Sequence, residues 1–319
     1  LFCNFIYGGI KMFFFTGYTL KTVIGFVFLL VMLIGLNELT RRSKWISIIF
    51  YVALPIVFSI FVWPITTANG SSGATWFAWV KTYSALAGVI GFMLLRYVKK
   101  LEKNKFMLTF PMLILVINIL EAVYADIECY SMHGVVRGGL LMEGGPWNII
   151  NAIAGIFLCL SLSGWLKIKI SNTKSRDMIW ADQLWFWIIA YDLWNISYCY
   201  NCISNRSFYA GFTLIVSCTV AEFLFRKGAC LQHRAQTLAI FAMFSLTANY
   251  ASYTDWFGIT STQAAAPKTV LAVAALVANL AVFAYELYII SKTKRNPLKE
   301  EVFTDLKSYK AILAENKLN

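Results

Sequence analysis

The sequence predicts an all-α fold, a polytopic transmembrane helix bundle of about nine spans with its amino terminus outside and its carboxyl terminus in the cytoplasm. Three observations predict it. Of 319 residues, 59% are hydrophobic and 14% charged, the reverse of the balance that covers a soluble core. Apolar runs of spanning length recur along the chain, and a bilayer core about 30 Å thick needs roughly 20 apolar residues in a helix, because backbone groups in lipid must be satisfied within the segment. The segments between those runs are alternately rich in Lys and Arg and nearly free of them, the pattern that separates cytoplasmic from external loops.

The runs lie near 15–37, 46–64, 76–95, 106–125, 147–166, 179–199, 208–225, 235–252 and 269–291. The seventh is the weakest, its alternative being a tilted or half-spanning helix that would leave eight full spans. Arg41, Arg42 and Lys44 follow the first; Arg96, Lys99, Lys100, Lys103 and Lys105 the third; Lys167, Lys169, Lys174 and Arg176 the fifth. Arg226, Lys227 and Arg234 follow the seventh, and seven more basic residues lie after 291, which places 22 of 28 on one side. The intervening loops hold only Arg137, Arg206 and the boundary residue Lys268. The net charge of +12 is thereby explained by orientation and anionic lipid, with no nucleic-acid partner implied.

Residues 1–11 read as an upstream extension, since Met12 precedes a Phe run that resembles a natural start. No small-residue cleavage site follows, so the first span is expected to stay as an anchor. The chain then reads as one integral membrane domain, 1–291, and a cytoplasmic tail, 292–319. Pro297 breaks the last helix, and an amphipathic stretch near 302–314 reads as a solvated or membrane-surface helix.

Function is sought among ionisable residues inside the spans, because each is costly there unless it meets a partner or a cavity. Lys81, Glu121 and Asp192 fall at comparable predicted depth in the outer half, where a lysine and two carboxylates would neutralise one another. Asp126, Asn195, Asn249, Trp79 and Trp194 share that level. The layer is either a structural ion-pair network or an aromatic-walled cavity open to the outside; excess carboxylate would suit a cationic or amphipathic small molecule. Glu286 and Glu222 form a candidate inner relay, although Glu222 pairs equally well with Arg226 four residues on. The segment Gln232-His233-Arg234-Ala235-Gln236 opens the eighth span as a gate or headgroup contact. The Gly-rich loop 133–146 is either a lid or an ordinary surface loop.

Cys199 and Cys202 form a Cys-x-x-Cys pair at the outer end of the sixth span, with Cys129 outside the fourth. This compartment permits disulfides, so the three are candidates for redox chemistry or for a Cys129–Cys202 bridge. There is no phosphate-binding Gly-rich loop, no serine nucleophile elbow, and only two His, on opposite predicted sides; no cofactor or metal is expected.

The segments around Glu121, Gly144-Gly145-Pro146-Trp147-Asn148, Tyr191-Asp192-Leu193-Trp194-Asn195 and Leu231 to Gln236 resemble an uncharacterised family of bacterial multi-pass membrane proteins. The resemblance covers most of the chain and implies a bacterial inner membrane, but no activity and no catalytic residue. The functional expectation is a small-solute transporter or channel-like protein, proton- or cation-coupled, whose partners are the bilayer and a small molecule or ion. The alternatives are a membrane enzyme, either a thiol oxidoreductase or a lipid-modifying enzyme, and a sensor or accessory subunit.

Overall fold

The computed structural model describes residues 12–67, 76–137 and 140–318; the predicted upstream extension, with Cys3, lies outside them. Among the described residues each of the nine apolar runs falls on a helix. These are α1 (Leu20–Arg42), α2 (Lys44–Thr66), α3 (Trp76–Tyr97), α4 (Lys105–Cys129), α5 (Pro146–Leu160), α6 (Trp185–Cys202), α7 (Phe208–Leu224), α8 (Cys230–Ala248) and α9 (Ala265–Thr293). A tenth, α10 (Lys307–Glu315), lies in the tail.

Five of them, α1 to α4 and α9, are long and apolar enough to cross a membrane. The others depart from the sequence expectation for two reasons: α5, at 15 residues, and α7 are short, while α6 and α8 carry polar side chains. The outward faces of the long helices are apolar, with Val27, Val31, Ile60, Phe61, Val273 and Val277 all exposed. Such a surface is what lipid rather than water would cover.

Local chemistry sets the helix ends. Thr19 caps α1, its hydroxyl accepting from Thr22 N while Thr22 Oγ1 accepts from Thr19 N. Asn104 caps α4 through Phe106 N and Met107 N. In α2, Pro55 and Pro64 would each drive their ring into the carbonyl four residues back, on Tyr51 and Ile60; both fall in wider π-type turns, Ile49–Ala53 and Phe58–Val62, which move that carbonyl away.

Two apolar clusters divide the bundle. One joins α4, α5, α6 and α9 around Leu115, Ile119, Leu158, Trp187 and Trp194; the other joins α1, α2, α3, α7 and α8 around Leu33, Trp63, Val89, Leu214 and Ile240.

Alternate loops gather at opposite ends. At one end strand β1 (Phe15–Thr16) pairs antiparallel with β6 (Thr260–Ser261), and the hairpin β2 (His133–Arg137) and β3 (Leu140–Glu143) precedes α5. At the other end β4 (Lys169–Ile170) pairs with β5 (Met178–Ile179), and the basic loops surround a buried carboxylate, Asp177. Arg41 Nη1 donates to Asp177 Oδ2 at 2.7 Å, Gln232 Nε2 donates to Oδ1 at 2.9 Å, and Arg96 and Arg226 approach to 3.7 and 3.4 Å. Burial would raise the Asp177 pKa, but the Arg41 and Arg96 charges, with hydrogen bonds from Ser175 and Gln232, outweigh it and hold the carboxyl below its usual range.

The tail departs from the expectation of a solvated or membrane-surface helix. Val302, Phe303, Tyr309 and Ile312 are buried against Ile179, Ala181 and Ala229. Asp182 accepts from Val302 N, Phe303 N and Ser163 Oγ, and Asn316 Nδ2 donates to Lys227 O. The amphipathic face found a protein surface of matching chemistry, an arrangement invisible to local periodicity.

Candidate functional site

Between α3, α4, α6, α7 and α8, at the seam of the two apolar clusters, lies a cavity of about 820 Å³. Met142, Cys202, Arg206 and Tyr250 line it toward the end carrying the β1–β6 pair; Leu231 and Arg234 line it toward the other. Arg234 and Ser245, both on α8 and both lining it, stand about 16 Å apart at a helical rise of about 1.5 Å per residue. The cavity is therefore a long slot rather than a surface dimple.

One wall is an aromatic face of α6. Tyr191, Trp194 and Tyr198 recur at helical spacing; Trp187 stacks on Tyr191 at 5.5 Å and Trp194 on Tyr198 at 6.3 Å between ring centroids. Leu238 and Phe241 of α8 face it together with Ile114 and Leu115 of α4. Gly155 of α5 makes this wall possible, because a Cβ there would lie 2.7 Å from Trp194 Nε1 and 2.6 Å from Val123 Cγ2.

The structure unites part of the predicted constellation. Lys81 Nζ donates to Glu121 Oε2 at 2.9 Å and to Asn118 Oδ1 at 3.4 Å, and all three residues line the cavity with Asn195 and Trp194. Asp192 does not join the lysine. It lies one position, about 100° round the helix, beyond Tyr191, and its Oδ2 accepts from Thr219 Oγ1 of α7 at 2.7 Å. Its place along the helix also differs from expectation, since α6 begins at Trp185 rather than near 179, which leaves Asp192 seven positions from the helix start.

Asp126 is behind the wall rather than in the cavity. Five positions from Glu121 it is turned about 140° toward α5, where it accepts from Asn148 Nδ2 at 2.8 Å and Asn151 Nδ2 at 2.7 Å. Trp79 packs edge-on against Trp63 and leans on Tyr83, outside the lining set. Asn249 ends α8 in the left-handed conformation at φ +45°, also outside it.

The cysteines are thiols among the described residues. Cys199 is directed to Asn195 Oδ1, whereas Cys202 donates to Asp126 Oδ1 at 3.3 Å and also hydrogen-bonds Cys129. The two members of the Cys-x-x-Cys segment thus have different partners, and the contact made is Cys129 with Cys202. The inner carboxylates are likewise separate: Glu286 faces Asp182 and Ser163, while Glu222 accepts from Gly228 N. The structure does not bring them together as one relay.

Arg234 is the lining residue that sequence reasoning placed elsewhere. The eighth run was expected to begin at 235, which assigned Arg234 to a cytoplasmic loop; α8 begins at Cys230 and carries it one turn inside. Its neighbours Gln232 and His233 are buried, Gln232 accepting from Met178 N and His233 Nδ1 meeting Asn37 Nδ2 at 2.9 Å. In the β2–β3 hairpin Met142 touches the cavity, and just after it Gly144 is wedged beside Cys129, where a Cβ would lie 1.8 Å from the Cys129 carbonyl oxygen.

Comparison with known proteins adds kinship without chemistry. No curated protein and no solved structure matches the chain. A family model described as "Family of unknown function (DUF5692)" matches residues 17–315, nearly the whole of the bundle and its docked tail. The chain therefore belongs to DUF5692, a family whose function is unknown.

Proposed function

We propose that this chain is a nine-span plasma-membrane protein, amino terminus outside and carboxyl terminus in the cytoplasm, that binds a small solute in the α3–α4–α6–α7–α8 cavity and moves it across the bilayer. The bacterial inner membrane is the proposed location: the resemblance to a bacterial family implies the organism, and the basic loops gathered at one end suit a cytoplasmic face. One observation carries the functional reading: a slot of about 820 Å³, within the range of small-molecule sites, runs through a bundle whose outer faces suit lipid. Its wall is apolar and aromatic, with the Lys81–Glu121 pair as a polar station on one side. A charged pair on the wall of the slot supplies a station at which solute movement can be coupled to protons or cations.

The test is a thermal-stability screen of purified protein against a metabolite library, in the wild type and in Ala242→Trp, which fills the cavity; compounds that stabilise the native state must raise its midpoint. Those found are then followed for uptake into proteoliposomes under a pH gradient, in wild type and Glu121→Gln. Stabilisation lost in Ala242→Trp, with uptake dependent on Glu121, supports the reading. Compounds that stabilise both proteins equally and are never taken up would overturn it.

A further inference from the structure

The cavity holds a guanidinium whose hydrogen-bonding capacity is almost unused. Arg234 lies one turn inside α8 and lines the cavity, yet among the described residues its guanidinium makes a single hydrogen bond, Nε to Tyr191 Oη at 3.1 Å. Nη1 is enclosed and lacks a partner, and among the described residues no carboxylate comes within ion-pair distance of it. Asp192 feels the Arg234 charge, but that group spends Oδ2 on Thr219 and leaves its other oxygen without a partner. Lys81, another cation on this cavity, is already held by Glu121. A part-buried guanidinium with unmet donors is costly where a bundle shields it from water, and its charged N–H donors suit an oxyanion.

We propose that Arg234 is the anion anchor of the cavity and that its ligand is an amphipathic organic anion, a carboxylate or phosphate head at the guanidinium and an apolar body along Trp194, Tyr198 and Phe241. The inference rests on the solute-binding reading above and reverses the charge that the sequence suggested, because Asp126 and Asp192 are turned away from the lining, and of the carboxylates on it Glu121 is paired with Lys81 and Glu128 also has a partner. Tyr191 orients the fork: its hydroxyl accepts from Nε, leaving the Nη groups without a hydrogen bond among the described residues.

The test uses the full chain in phosphatidylcholine nanodiscs, with unfolding midpoints measured against decanoate, decyl phosphate, decyltrimethylammonium and decyl maltoside. The expected result is stabilisation by decanoate or decyl phosphate, whichever head is preferred, weakened about 10- to 100-fold in apparent affinity in Arg234→Gln, as loss of charged hydrogen bonds implies. Arg234→Lys should fall between, and Ala242→Trp should abolish the effect. Stabilisation by decyltrimethylammonium in preference to the anions would overturn the anion anchor while leaving the solute-binding reading intact. Silence from all four would count against both. Undiminished stabilisation in Ala242→Trp would place the anions in surrounding lipid and overturn the assignment. Should Arg234→Gln fail to fold, the ranking of the four probes on the wild type and the Ala242→Trp result decide the matter.

Discussion

Asp177→Asn is the sharpest test of how the basic end of this bundle is held. The carboxylate is fully buried and faces Arg41 at 2.7 Å, Arg226 at 3.4 Å and Arg96 at 3.7 Å, with Ser175 and Gln232 completing its shell. Glu38, which also binds Arg41, is the second acidic partner. Neutralising Asp177 leaves three guanidinium groups against one carboxylate. Removing one partner of a buried pair costs about 3–5 kcal/mol, and the isosteric amide, still able to accept one hydrogen bond, should fall near the lower end, about 3 kcal/mol. The assay is reversible unfolding in mixed micelles followed by tryptophan fluorescence. Glu102→Gln, which removes the partly exposed partner of Arg176, is the control and should cost no more than about 1 kcal/mol. The pH profile adds a second readout. Asp177 has a folded pKa below its unfolded value, so its contribution is present above about pH 4 and is lost as pH falls through the lowered folded value. The variant should lose that part of the acid dependence. A cost below about 1 kcal/mol, with an unchanged acid limb, would refute the view that this cluster ties α1, α3 and α8 together.

Asp182 should behave with the opposite sign. Burial pushes its carboxyl up to about 6 despite the Val302, Ser163 and Phe303 hydrogen bonds, so its ionised form opposes the fold above pH 6 and that opposition fades between about pH 6 and 4; comparing unfolding of wild type and Asp182→Asn across that window checks it. Asp182→Ala should also loosen the tail, seen as faster proteolysis near Val302. Mild oxidation should join Cys129 to Cys202 rather than Cys199 to Cys202, read from the linked peptides by mass spectrometry, since the first two thiols are in contact. Gly155→Ala should cost about 1–3 kcal/mol and disturb ligand binding, because the added methyl meets Trp194 and Val123; calorimetry and the stability screen measure both.

The candidate site was partly legible. Lys81, Asn118 and Glu121 could be read as neighbours because each lies on a helix whose polar stripe is spaced at one turn, and a lysine in lipid needs a carboxylate. Asp126 and Asp192 share the composition of that layer but not its direction, and rotation about a helix axis becomes meaningful only when its neighbours are known. Arg234 was lost to a five-residue error in a helix start, small along the chain and decisive for the site.

Membership of a helical, lipid-suited class follows from the sequence alone, because hydrophobic transfer and loop charge are local quantities summed along a run. The same local reasoning located nine helices and sorted the basic loops onto one end. Which of those helices are long enough to cross, where α6 and α8 begin, that the tail docks on Ile179 and Ala229, and that a cavity opens between two apolar clusters were decided by tertiary structure. The physical reason lies in the distances along the chain: Arg41 meets Asp177 across 136 positions, and Lys81 meets Glu121 across 40. Burial, charge pairing and empty volume belong to such contacts, and no window along the sequence contains them.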